Sequence, residues 1–483
     1  MDEQLSYLLS FPPEQQVSPQ EYDKQATAYA KHITNLPPTA LRTKSNGKNL
    51  LEQLDPATHA IPYMCCLLHH LRTPGVGEAE FTELMPYIGE FLRDFDPIQV
   101  RYAGAQWRAL ISAAVDVYRA LRIPDVSPIG HALLRLDPTG ATFTSNHITY
   151  LVLCLQAGTP SKALCILDKN IYAYPSDSKA ADELASEDHE LSNSFITEKS
   201  SLSAKLNSAN VLEYYLLGAG VYIGLRRWTR ARLFLEFIIL HPAAPGITSA
   251  LQVEAYKKWL LIGLVSTGRT FPYPRTAGQQ VMKAIRAVAR SYDALAETFE
   301  KRDWRKFDAE KDVGTDIWTR DGNVRLVNEA ATALLRYRVA DLQNTYTVLP
   351  ISRVATHLGF STEQTTALVT DLIQRGQLPA TLESSTADAT LRFAPVASTT
   401  FVDDTAIEAQ TQRIEDLLQH VRDANRRLQL TKDYIEFLRR SKRQGLDGDP
   451  ADQMDLEWNV PGAPTVLSND DDDDENGDED IMA

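Results

Sequence analysis

Two pairs of residues have the spacing of metal ligands. Cys65 with His69 and Cys66 with His70 stand at i and i+4, which sets both side chains of a pair on one face of a helix. Each pair could supply half of a tetrahedral zinc site, and a second Cys or His pair would have to complete it. No such pair follows nearby, so the packing of an apolar helix is the favoured reading and no metal is expected. A metallohydrolase would need His-x-His or His-Glu-x-x-His with a carboxylate, and the ten histidines offer neither spacing. Gly-x-Ser-x-Gly and Walker sequences are absent as well. Gly218, Gly220 and Gly224 have a phosphate-loop look, but no strand precedes them and a helical pattern runs through them, which suits close helix packing. Neither catalysis nor a cofactor is expected. Cys65, Cys66, Cys154 and Cys165 all lie in apolar helical context, as buried reduced thiols do.

The background is that of a soluble, intracellular chain. Of its 483 residues 43% are hydrophobic and 23% charged, enough for two to four domains. The formal net charge is −15, but nine acids fall between Asp470 and Asp480, so the rest carries only about −6. No signal pattern precedes Phe11-Pro12-Pro13, and no apolar run reaches the length of a membrane span.

The best-defined module runs from Tyr346 to Phe393. Tyr346 to Leu349 is a β-branched and aromatic run stopped by Pro350. Ile351, Val354, Ala355 and Leu358 form one helical face, ended by Gly359. Ser361 with Gln364 has capping-box spacing, Leu368, Val369, Leu372 and Ile373 form a buried stripe, and Gly376 closes the helix. Leu378–Leu382 and Ala389–Phe393 alternate like two wing strands around a polar turn. Helix, helix and wing make a winged helix, a module that often reads duplex DNA. Its recognition-position helix, however, carries only Glu363, Asp371 and Arg375, a net of −1 where phosphate contacts want several cations. A protein-interaction wing is the better reading. An open sheet offers unpaired backbone groups at its edge, and Leu378, Ala380, Leu382, Leu391 and Phe393 are the candidate edge-interface residues.

Elsewhere helical periodicity dominates. Residues 1–176 read as an array of antiparallel helix pairs, with helices such as Trp107–Leu121 and Asn146–Ala157. Residues 177–208 are polar and acidic without a sustained apolar stripe and predict a mobile loop. Within residues 209–340, Leu212, Tyr215, Leu216 and Ala219 pair with Ala231, Phe234, Leu235 and Ile238 as a tetratricopeptide-like hairpin. A further helix follows, carrying Glu254-Ala255-Tyr256-Lys257-Lys258-Trp259 and ending near Gly268. The fold class is therefore mostly α: stacked helical repeats, then a winged helix over 341–396 and a long C-terminal helix over 403–443.

That last helix carries Ile407, Ile414, Val421, Leu428 and Ile435 at strict sevens, with Leu417, Ala424 and Leu438 at companion positions and Gln410 and Thr431 as polar interruptions. Five heptads on one seam predict a bundle helix packed against other long helices, the alternative being a helix folded back on its own domain. Arg426, Arg427, Lys432, Arg439, Arg440, Lys442 and Arg443 follow, readable as a nuclear-import patch, as a solvated helix end or, less favoured, as a nucleic-acid contact. Residues 444–483 turn to Gly, Asp, Asn and Pro and are expected to be disordered.

The hairpin at Leu212–Leu240, the Glu254–Trp259 run with Leu260, Leu261 and Gly268 behind it, and the module at Tyr346–Phe393 together resemble a PCI domain. More narrowly they are similar to the third-subunit family of the COP-nine signalosome. The likeness covers about residues 205–440, while residues 1–140 agree only in being helical. It implies a non-catalytic scaffold, present in cytoplasm and nucleus, in the complex that removes the ubiquitin-like modifier from cullins. It also implies other PCI subunits as partners, joined through wing edges and a common bundle of terminal helices, with cullin-RING ligases reached indirectly and neither membrane nor nucleic acid bound. A proteasome regulatory-lid subunit has the same architecture and stays open as an alternative, ahead of a nucleic-acid-binding winged-helix protein.

Overall fold

The computed structural model describes residues 2–13, 17–41, 49–75, 77–175, 184–189, 192–242, 248–383, 389–394, 404–429, 434–437 and 439. The chain forms two compact units, Met1–Phe393 and Ala394–Ala483.

Helices of eight residues or more are numbered α1 to α16. In the first unit α1 (Pro19–Thr34), α2 (Ala60–Leu71), α3 (Glu78–Asp94), α4 (Gly104–Ala120), α5 (Ser127–Leu136) and α6 (Ser145–Gln156) build the N-terminal array. Sequence sets the ends of many helices. Ser18 accepts from the Glu21 N–H ahead of Pro19, and Asp96 does the same for Ile98 at a short helix between α3 and α4. The array is welded by stacked aromatic side chains: Tyr63, Phe91, Phe95 and Trp107 are all fully buried, with Phe95 4.9 Å from Trp107.

The array continues without a break in its core through α7 (Ser208–Gly224), α8 (Trp228–Ile239), α9 (Ala250–Thr267), α10 (Gln279–Val288), α11 (Arg290–Glu300), α12 (Trp304–Val313) and α13 (Val324–Leu342). One continuous apolar core links Leu8 to Leu334. The α7–α8 hairpin is the pair expected from the tetratricopeptide-like pattern. Close packing explains one of its three glycines. A Cβ on Gly218 would lie 2.7 Å from the Phe234 ring, whereas Gly220 and Gly224 face open space.

The segment expected as a mobile loop, residues 177–208, is corrected over its described part. Phe195, Ile196 and Leu202 are buried in the main core. Arg101 clamps the strap from below: its guanidinium lies 3.9 Å from the Phe195 ring and donates to the carbonyls of Ala185 and Glu187. Asp23 on α1 accepts from the Ala185 and Ser186 N–H groups and from the Tyr102 hydroxyl. Where the strap crosses α4, a Cβ on Gly104 would sit 2.2 Å from the Ser200 carbonyl oxygen, so only glycine permits the approach.

His147 lies under this strap, buried at the first turn of α6. Its Nδ1 accepts the Thr144 N–H, and burial pushes its pKa down to about 4 from the usual 6.5. The unfolded chain therefore takes up the proton first as pH falls. The stability tied to neutral His147 is full above pH 6.5 and declines towards about pH 4, by at most about 3 kcal/mol. His147→Gln is expected to flatten this part of the pH dependence in urea unfolding compared with the parent chain.

The winged helix has its own core, built from Val339 on α13 and Leu349, Val354, Val369, Leu372, Leu391 and Phe393. It contains β1 (Val348–Pro350), α14 (Ile351–Leu358), α15 (Thr362–Gln374), β2 (Ala380–Glu383) and β3 (Thr390–Phe393). The caps match the sequence signals: Gly359 is left-handed at φ 80°, and Ser361 and Gln364 exchange the two bonds of a capping box. The sheet is antiparallel in the order β1-β3-β2.

In the second unit α16 (Asp404–Gln429) is a single 26-residue helix, and residues 434–437 are helical as well.

Candidate interaction surfaces

Among the described residues, α16 carries a long exposed apolar stripe. Ile414, Leu417, Val421, Leu428 and the following Ile435 are 39 to 61% exposed, and Ala424 is half-buried between them. Ile407 lies on α16 with its side chain outside the described ones, and Leu438 is outside the described residues. Leu418 and Phe437 are exposed too, and the heptad reading omits both. Leu418 completes an i, i+3, i+4, i+7 set with Ile414, Leu417 and Val421, so the stripe is wider than a two-position seam. Large aliphatic side chains left this far in water at regular spacing gain about 1.5–3 kcal/mol each when another surface covers them.

The sheet gives a different account of the wing from the expected one. Leu391 and Phe393 belong to β3, the central strand, and Leu378, Ala380, Leu391 and Phe393 all point into the module's own core. Those four are not contact side chains. Leu382 is half-buried and sits on β2, which is an edge. The other edge is β1. Leu349 stands opposite Leu391, flanked by bonds from Phe393 N–H to Thr347 O and from Ile351 N–H to Ala389 O. That alternation turns the backbone N–H and C=O of Val348 outward on β1 and, through Thr390 and Arg392, those of Ala380 and Leu382 outward on β2. The Ala380 N–H is taken by the Leu378 carbonyl. Pro350 has no N–H to offer, so β1 presents the Val348 donor, with the exposed side chains of Tyr346 and Val348 beside it.

The Glu254–Trp259 run proves to be an internal clasp. Lys257 Nζ donates to Asp321 at 2.7 Å, Lys258 to Glu254 and to Asn323, and Asn323 Nδ2 to the Tyr292 hydroxyl at 3.0 Å. Trp259 Nε1 donates to Glu236 on α8, and the Tyr256 hydroxyl to Asp293 on α11. One turn and a half of α9 thus holds α8, α11 and the start of α13 together.

Cys65, Cys66 and Cys154 are buried and Cys165 half-buried, all as free thiols, and burial pushes the Cys65 thiol up to about 12. Among the described residues no three His, Cys, Asp or Glu side chains stand close enough together to hold a metal ion. No described helix is long and apolar enough to cross a membrane.

Known proteins resemble the chain over most of its length. The family described as COP9 signalosome complex subunit 3, N-terminal helical repeats, matches residues 23–281. The match therefore includes the array for which residue patterns supplied only helicity. The COP9 signalosome complex subunit 3 of Emericella nidulans is 31% identical over 423 residues, 82% of this chain and 84% of that protein. Proteins of the same name from Neurospora crassa and Dictyostelium discoideum are 26% and 22% identical, over 90% and 84% of this chain and 91% of each relative. With a family match over more than half of its residues and relatives aligned through the winged helix, the chain belongs to the COP9 signalosome complex subunit 3 family.

Proposed function

We propose that the chain is a non-catalytic scaffold subunit that supports assembly of the signalosome, the complex that deneddylates cullin-RING ubiquitin ligases. The observation that carries this reading is the exposed stripe of Ile414, Leu417, Leu418, Val421 and Leu428 on α16, a surface made to be covered by other helices. The open β1 and β2 edges support a second joint, in which backbone groups of a neighbouring PCI subunit extend the sheet. Cullin-RING ligases are then met through the assembled complex, without a membrane or nucleic acid as partner. Residence in both cytoplasm and nucleus belongs to the same proposal, supported by the cationic run from Arg426 to Arg443.

The test compares turnover of a neddylated cullin by the chain alone, by the full complex and by the complex prepared without the chain. The isolated chain is expected to leave the conjugate intact, and omission of the chain to lower turnover by the complex. Cleavage by the chain alone would sink the scaffold reading.

A further inference from the structure

From Ala255 to Tyr292 the sequence contains no Asp or Glu, in a chain of formal net charge −15. Its first cations are used internally, Lys257 by Asp321 and Lys258 by Glu254. The next five, Arg269, Arg275, Lys283, Arg286 and Arg290, are all exposed. Only Arg286 meets a carboxylate, Asp293 at 3.1 Å, and the other four make no ion pair among the described residues. Just beyond, Lys301, Arg302, Lys306 and Lys311 each lie within 3.4 Å of a carboxylate.

The acids bordering this face are already engaged. Asp293 also accepts from the Tyr256 hydroxyl, Glu300 from the Thr270 N–H and hydroxyl, and Glu236 from Arg232 and Trp259. The face is also rigid. Met282 and Ile285 anchor α10 in the core, and Tyr273, between two prolines, stacks on Trp259 at 5.7 Å with its hydroxyl 3.2 Å from that of Tyr256. Exposed apolar surface adjoins the charge: Tyr273 is 47% exposed, with Arg286 over its ring.

We propose that the face from Arg269 to Arg290 is a docking surface for an acidic, extended peptide segment of a partner protein, one that also brings an aromatic or aliphatic side chain to Tyr273. Four free cations on a preorganised surface attract carboxylates without first breaking internal pairs. Nucleic acid is the poorer fit. A phosphate backbone draws on a longer line of cations. The surface shares no residue with the α16 stripe or the sheet edges, so its failure would leave the scaffold reading untouched.

The experiment titrates the full-length protein into a fluorescein-labelled peptide of glutamates interrupted by one Phe and one Leu, read by anisotropy. Saturable binding is expected at about 50 mM salt, weakening about tenfold or more at about 200 mM. Lys283→Glu/Arg290→Glu is expected to weaken it about tenfold or more, and the neutral Lys283→Gln/Arg290→Gln to fall between. Lys301→Glu/Lys306→Glu, which alters cations that are already paired, is expected to leave binding unchanged. Circular dichroism confirms the fold of each variant. Absence of binding by the parent chain overturns the proposal, as does equal binding by Lys283→Glu/Arg290→Glu. So does preference for a single-stranded oligonucleotide over the peptide.

Discussion

Deleting Thr405–Arg440 is expected to leave a folded first unit that no longer co-purifies with its complex. The main core, from Leu8 to Leu334, and the winged-helix core, from Val339 to Phe393, both close without this segment, so the melting transition of the first unit should survive. What is lost is the stripe of Ile414, Leu417, Leu418, Val421 and Leu428. Covering even four of these five side chains contributes on the order of 6 kcal/mol or more. At about 1.4 kcal/mol per decade that is roughly four orders of magnitude in affinity. A finer version replaces Ile414 and Val421 by Asp, which keeps the helix and its length but puts charge where apolar cover is needed. Loss of the complex in Ile414→Asp/Val421→Asp, with Glu415→Ala as an unaffected control, would assign the effect to the seam. Normal incorporation of the deletion variant would remove α16 from the assembly account.

The second large effect concerns stability. Lys257→Met is expected to destabilise the helical repeats by about 3 kcal/mol, because it leaves the nearly buried Asp321 carboxylate without its ammonium partner. Burial pushes the Asp321 pKa up, but the hydrogen bonds from Lys257 and Tyr292 outweigh it and hold the carboxyl below its ordinary range. A depressed folded-state pKa gives stability that is present above the unfolded carboxylate pKa and lost as pH falls through the folded one. Lys257→Met should therefore be less stable at neutral pH and show a shallower loss towards acid. Urea unfolding at two pH values measures both. An unchanged midpoint at neutral pH would mean that the clasp contributes nothing.

The sequence states some of this architecture directly and conceals other parts for physical reasons. Local signals carried the winged-helix boundaries, because Ser361, Gln364 and Gly359 act within one turn of chain. Strand order is not local. Only the long-range pairing of Val348–Pro350 with Thr390–Phe393 makes β3 central, so Leu391 and Phe393, which alternate like edge residues, turn out to be core. The strap escaped because irregular backbone has no period. Phe195, Ile196 and Leu202 are three apolar residues in a polar run, and their burial depends on Arg101 and Gly104 far back in the sequence. On α16 the strict sevens revealed the seam, but a two-position template passes over Leu418, which only the broader i, i+3, i+4 pattern finds. The Glu254–Trp259 run was visible as a motif, and its role as a clasp needed the partners Asp321, Asn323 and Glu236 from other helices.

The scaffold claim is tested most directly by native purification of the tagged full-length chain from its own cells, with mass spectrometry of the co-eluting proteins. The account predicts the other signalosome subunits together with cullins, and their loss when residues 405–440 are removed. Recovery of a proteasome regulatory lid, or of nucleic acid without signalosome subunits, would contradict it.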